Sequence, residues 1–110
     1  MSDQTTPSEH HHLEVFRSRT DRSEVIVCHG WVDAGTCRQL EQILDAAFDE
    51  GVERLRLDLA NVLGIDAAGM RCLLMASIRC KESGALLEMQ PSEIVLDALR
   101  TSGIAEQFAA

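Results

Sequence analysis

Two short segments carry most of the polar residues that could bind a ligand or a partner. The first is residues 30–33 (Gly-Trp-Val-Asp) and the second is residues 64–70 (Gly-Ile-Asp-Ala-Ala-Gly-Met). Each follows a predicted strand and precedes a predicted helix. Both should therefore lie at the carboxyl ends of parallel strands, where open α/β sheets bind ligands and partners. The second segment also begins a helix, and the free N–H groups there favour negative charge.

Catalysis is the weaker interpretation of these residues. Asp33 and Asp66 could act as an acid–base pair only if one pKa were raised, and the simpler interpretation is that each caps a helix. His29 and Cys37 flank the first segment and could form an imidazole–thiolate pair, but a strand end and a helix face account for both. The sequence has no Gly-rich phosphate loop, metal-spaced His/Cys cluster or nucleophile elbow. We expect no enzymatic activity, cofactor or metal.

Composition narrows the partner class. The chain has 110 residues, the size of one domain, with 18 acidic against 10 basic side chains and a net charge of −8. Such a surface disfavours nucleic acid and anionic membranes. There is no apolar run long enough to span a bilayer and no secretory pattern at the start. We therefore expect a cytoplasmic protein with reduced, mostly buried thiols at Cys28, Cys37, Cys72 and Cys80.

Patterning predicts a flexible leader over residues 1–12 and one domain over residues 13–110. The leader includes His10, His11 and His12, which could bind transition metals weakly but are interpreted as part of a solvated tail. Strands are predicted over residues 13–18, 25–28, 55–59 and 85–89, with a loop over residues 61–64. Helices are predicted to follow Asp33, Asp66 and Ser92 and to end at Gly51, Gly84 and Gly103.

The order β-β-α-β-α-β-α indicates an α/β domain. Right-handed strand–helix–strand crossovers impose parallel pairing on the last three strands, and the first strand should pair antiparallel. The expected architecture is a mixed, mostly parallel four-stranded sheet with helices packed mainly on one face. Ile94 should face inward on the third helix, and Ile104 and Phe108 should fold over its end.

Three sequence elements, in the correct order over residues 13–108, together resemble one known family. They are GxxD…L at Gly30, Asp33 and Leu40, DLsxv…iDssGl at residues 58–62 and 65–70, and LxxxGl…f at residues 99–104 and Phe108. The chain is similar to STAS domains, named for sulfate transporters and anti-sigma factor antagonists. The resemblance implies a bacterial domain that binds proteins and regulates transcription. In such antagonists the partner is an anti-sigma factor that is also a serine kinase, and homodimerisation stays open.

The same resemblance locates the partner-binding residues at the two polar segments. They are Trp31, Asp33, Asp66, Ala67, Ala68, Gly69, Met70 and Arg71. Trp31 is expected in an exposed loop, as a core lid or an interface anchor. In the family, the kinase phosphorylates the second serine of the DSSG motif and the two proteins separate.

This chain departs from the family at that serine. Ala67 and Ala68 replace both motif serines, so phosphoryl transfer to position 68 is chemically impossible. Ser77 should be buried and Thr36 more accessible, but neither is expected to substitute. Two other roles stay open: an accessory STAS subunit of a lipid-transport ABC complex, and a component of a stressosome-like scaffold.

Overall fold

The computed structural model describes residues 11–104. Along this range the chain forms four strands and three helices in the predicted order. They are β1 (Leu13–Thr20), β2 (Ser23–Val32), α1 (Cys37–Asp49), β3 (Arg54–Ile65), α2 (Ala67–Ser83), β4 (Leu86–Pro91) and α3 (Glu93–Ser102). None of the helices in residues 11–104 is long and apolar enough to cross a membrane.

The strands form one sheet in the order β1-β2-β3-β4. β1 is antiparallel to β2, whereas β2, β3 and β4 are parallel, which confirms the predicted mixed sheet. The connections β2-α1-β3 and β3-α2-β4 are the expected crossovers. The carboxyl ends of β2 and β3 therefore lie side by side, with Val32 opposite Ile65.

β2 and β3 are longer than the sequence pattern predicted. β2 continues past Gly30 to Val32, and β3 runs through residues 61–64, so the predicted loop there is wrong. The pairing of these strands shifts register between Val27 and His29 and again between Gly30 and Trp31. Such bulges insert extra residues and interrupt the alternation of buried and exposed side chains. The alternation in the sequence therefore stops before the ends of β2 and β3.

One face of the sheet builds the core. Ile26, Leu57 and Leu59 are fully buried there, in one cluster with side chains from all three helices. On the opposite face Phe16 is 53% exposed and Leu86 is 65% exposed. The helices thus pack on one face, as predicted, and the other face is thinly covered.

Glycines end the second and third helices as predicted. Gly84 and Gly103 take the left-handed conformation, with φ of 79° and 80°, that closes a helix most easily without a Cβ. α3 buries Val95 and Leu99, whereas Ile94 is 50% exposed, so its predicted inward position is wrong. Ile104 packs against the core and Phe108 lies outside the described residues.

Candidate functional site

The two polar segments meet at the carboxyl edge of the parallel strands. The Asp66 amide donates to the Val32 carbonyl (3.3 Å), which joins the start of α2 to the end of β2. The Asp66 side chain then bridges both segments. Its Oδ1 accepts from the Gly69 amide (2.9 Å) and its Oδ2 accepts from the Ala34 amide (3.1 Å). Asp66 is thus the predicted cap of α2, and it also fixes the preceding turn.

Asp33 closes a turn before α1 and does not cap the helix. Its Oδ1 accepts from the amides of Gly35 (3.0 Å) and Thr36 (3.1 Å), and α1 begins only at Cys37. The predicted cap at Asp33 is therefore wrong by one turn, because the residue at the N-cap position is Thr36, which makes no side-chain cap bond. Partial burial alone would raise the pKa of Asp33, but hydrogen bonds from His11, Gly35 and Thr36 outweigh it and lower the pKa.

Thr36 is buried, which corrects the expectation that it is accessible. Only 4% of the residue is exposed, and its hydroxyl donates to the Trp31 carbonyl (2.7 Å). Ser77 is buried as predicted, at 3% exposure. Neither hydroxyl lies on the surface that surrounds position 68.

Trp31 lies within β2 and is half-buried, so its predicted position in an exposed loop is wrong. The His11 ring stacks on the indole, with centroids 4.6 Å apart and planes 3° apart. His11 Nδ1 lies 2.7 Å from Asp33 Oδ2, and the Trp31 amide donates to the His12 carbonyl (3.0 Å). His11 and His12, which the solvated-leader interpretation assigned to the tail, thus contact Trp31 and Asp33, and His10 lies outside the described residues.

The start of α2 is partly accessible to solvent. Ala67 and Arg71 are exposed, and Ala68 and Met70 are half-buried. Gly69 is buried: a Cβ there would lie 2.1 Å from the Val32 carbonyl oxygen. Gly69 therefore permits close packing of α2 on β2.

The arrangement does not support a thiolate–imidazole pair. His29 contacts Asn61 and Phe16 on the thinly covered face of the sheet. Cys37 lies at the start of α1, and burial, with the nearby carboxylates of Glu41 and Asp66, raises the pKa of its thiol. All four thiols are free, and burial raises the pKa values of Cys28 and Cys72 to about 12. Within residues 11–104, no group of three or more His, Cys, Asp or Glu could hold a metal.

Comparison with known proteins identifies a domain family and structures with a similar fold. A family model described as "Mlab, STAS domain" matches residues 15–108. An anti-sigma factor antagonist from Mycobacterium paratuberculosis superimposes with a TM-score of 0.77 at 17% identity, over 96% of this chain and 88% of that one. The unphosphorylated anti-sigma factor antagonist SpoIIAA gives 0.72 at 16% identity, over 86% and 84%.

A larger protein contains the same fold. The structure of SLC26A9 superimposes with a TM-score of 0.66 at 14% identity, covering 83% of this chain and 17% of that one. Curated proteins give no significant match to the sequence. At these identities the structural similarities show a shared fold, and the family model covers most of the chain.

Proposed function

The chain belongs to the STAS family, and we propose that it is a protein-interaction domain of the anti-sigma factor antagonist type whose docking has no phosphorylation switch at residue 68. The observation that carries this proposal is the methyl group of Ala68 in the first turn of α2, two residues after the capping carboxylate of Asp66. The proposed partner is a cytoplasmic anti-sigma factor or a related regulator with an ATPase-fold kinase domain. Docking would sequester that regulator and so control transcription.

The shape of the α2 surface supports a protein partner. Ala67, Arg71 and Met75 are exposed and spaced four residues apart, so they form one stripe along the helix. Met75 is 47% exposed, and arginine and methionine are enriched in protein interfaces. We name this stripe, together with Asp66 and Ala68, the docking surface.

The charge of the docking surface explains what phosphorylation would have done. A phosphate at position 68 would add about −1.5 to −2 charges at neutral pH. It would lie in the same turn as Asp66, in a chain of net charge −8. Alanine has no acceptor oxygen, so docking in this chain must be controlled by the amount of either protein or by another signal.

Binding measurements with matched charge reversals test the docking surface. The tagged chain is used to capture its partner from native cytosol, and the affinity of the purified complex is then measured. Arg71→Glu should weaken the complex at least tenfold, because it reverses a charge in the centre of the surface. Arg100→Glu is the matched control, since Arg100 is also exposed but lies on α3. Equal effects of the two variants would refute the proposed surface.

Restoring the hydroxyl tests the missing switch. Ala68→Ser should accept phosphate from the captured kinase and ATP and then lose affinity, whereas the native chain should gain no phosphate and keep its affinity. A native chain that is phosphorylated elsewhere and then dissociates would contradict unswitched docking. An Ala68→Ser chain that stays unmodified beside an active kinase would contradict the family docking geometry.

An accessory role in a lipid-transport ABC complex is the second candidate. The missing acceptor at Ala68 also favours it, because an assembly subunit requires docking that is not reversed by a kinase. Co-purification with membranes and an ATPase subunit would support this role against the first. A stressosome-like scaffold would instead require a very large complex in size-exclusion chromatography.

A further inference from the structure

Trp31 and Asp33 together hold an imidazole ring. The His11 ring is parallel to the indole within 3°, at 4.6 Å between centroids, and its Nδ1 lies 2.7 Å from Asp33 Oδ2. Gly64 lies against the edge of the same indole: a Cβ there would be 2.6 Å from Trp31 Cδ1. The aromatic surface is thus fixed in place by β3, and the ring that covers it comes from the segment before β1.

The geometry defines the chemistry that this place accepts. Asp33 Oδ1 is already used by the amides of Gly35 and Thr36, so Oδ2 is the oxygen that receives an outside donor. The Asp33 side chain is only 13% exposed, which strengthens a charged hydrogen bond relative to bulk water. A planar group with an N–H in its own plane can satisfy the indole and the carboxylate at once.

We propose that Trp31 and Asp33 form a binding place for an arginine side chain of the partner, and that His11 occupies this place in the free domain. The proposal rests on the proposed docking function and names the chemistry of one partner residue. A guanidinium is planar, always charged and rich in in-plane donors, and it stacks on tryptophan. A lysine ammonium is a compact point charge and cannot provide the stacked plane.

The surrounding charge favours a cation over a neutral ring. Asp66 is joined to the same turn through the Ala34 amide. Besides burial, the negative charges of Glu41, Asp66 and Asp33 all help to raise the pKa of the Cys37 thiol, at the start of α1 beside this turn. His11 must leave before an arginine enters, so the segment before β1 competes with the partner and lowers its apparent affinity.

A peptide titration of the full chain tests this place directly. The probe is acetyl-Gly-Arg-Gly-amide, and the control is the same peptide with citrulline, which is planar but uncharged. The readout is the indole N–H resonance of Trp31, the only tryptophan of the chain. In the His11→Ala variant the arginine peptide should saturate the shift in about the millimolar range, as one good contact allows. The native chain should bind about tenfold more weakly, because His11 must be displaced.

Asp33→Asn combined with His11→Ala should abolish the shift, because the negative charge that binds the guanidinium is gone. The turn should be kept, since the asparagine side-chain oxygen can still accept hydrogen bonds from the Gly35 and Thr36 amides. Equal binding of the citrulline peptide, or no arginine binding by His11→Ala, would overturn the proposal. Equal affinities of the native chain and His11→Ala would also overturn it. If the captured complex still responds to Arg71→Glu but no arginine binds here, the docking function stands and this inference alone fails.

Discussion

Replacing Asp66 by alanine tests the residue that joins the two polar segments. The variant loses two hydrogen bonds, from the Gly69 amide at 2.9 Å and from the Ala34 amide at 3.1 Å. Loss of a helix cap costs about 1 kcal/mol, and the second bond contributes about 1 kcal/mol. Because Asp66 is exposed, water can partly replace its carboxylate as the acceptor for these two amides. We therefore add no penalty for leaving the amides buried without a partner. We expect the free energy of unfolding to fall by about 2 kcal/mol.

Urea denaturation followed by Trp31 fluorescence measures this loss. In a thermal melt, a domain of this size loses about 4 to 5 °C per kcal/mol, so the melting temperature should fall by about 8 to 10 °C. Asp66→Asn keeps one acceptor oxygen and should lose about half as much. Asp97→Ala, at an exposed position on α3, is the matched control and should stay within about 0.5 kcal/mol of the native chain. An Asp66→Ala variant as stable as Asp97→Ala would refute the bridging role.

Three further predictions concern packing, thiols and pH. Gly69→Ala should destabilise the fold by about 2 kcal/mol or more, measured by urea denaturation, because its Cβ would lie 2.1 Å from the Val32 carbonyl oxygen. Cys28 and Cys72, with pKa values of about 12, should resist iodoacetamide in the folded chain at about pH 8 and react after unfolding, as mass spectrometry would show. Folding lowers the pKa of Asp33. The ionised side chain therefore stabilises the fold above the unfolded pKa of about 3.9, and this stabilisation is lost as pH falls through the folded pKa. The stability difference between the native chain and Asp33→Asn should shrink over that range of acid pH. A constant difference, rapid alkylation of the folded chain, or an unperturbed Gly69→Ala would each contradict its prediction.

Local signals in the sequence predicted the element order and the sheet topology. The alternation of Leu55, Leu57 and Leu59 marks a strand with one buried face, and all three are buried. Asp66 caps α2 and Gly84 ends it, as their residue types indicate. These features depend on residues a few positions apart, so they can be predicted from one sequence.

Features that depend on distant contacts could not be predicted. The bulges between β2 and β3 arise from pairing of two strands and hide the last residues of both. Thr36 is buried and its hydroxyl donates to the Trp31 carbonyl, a contact that no spacing in the sequence indicates. His11 was the main residue missed at the site. It is 22 positions from Asp33, and a polar segment with three histidines looks like a tail until its contacts are known.

Glu24 shows the same limit in the core. It is 1% exposed beside Arg17 of β1, although its position just before a β-branched run gives no sign of a buried ion pair. Burial of a carboxylate requires a partner. That partner is supplied by the register of β1 on β2, which pairs Arg17 with Ile26, and sequence spacing alone does not specify this register.

Amide hydrogen exchange of the captured complex tests the central claim most directly, since it maps the protein surface that the partner covers. The account predicts added protection at residues 31–34 and 66–71 and along α2 toward Met75, with little change at Val25, Val27 and Leu86 on the other side of the sheet. Protection confined to that thinly covered face, with residues 66–71 exchanging as in the free domain, would contradict it.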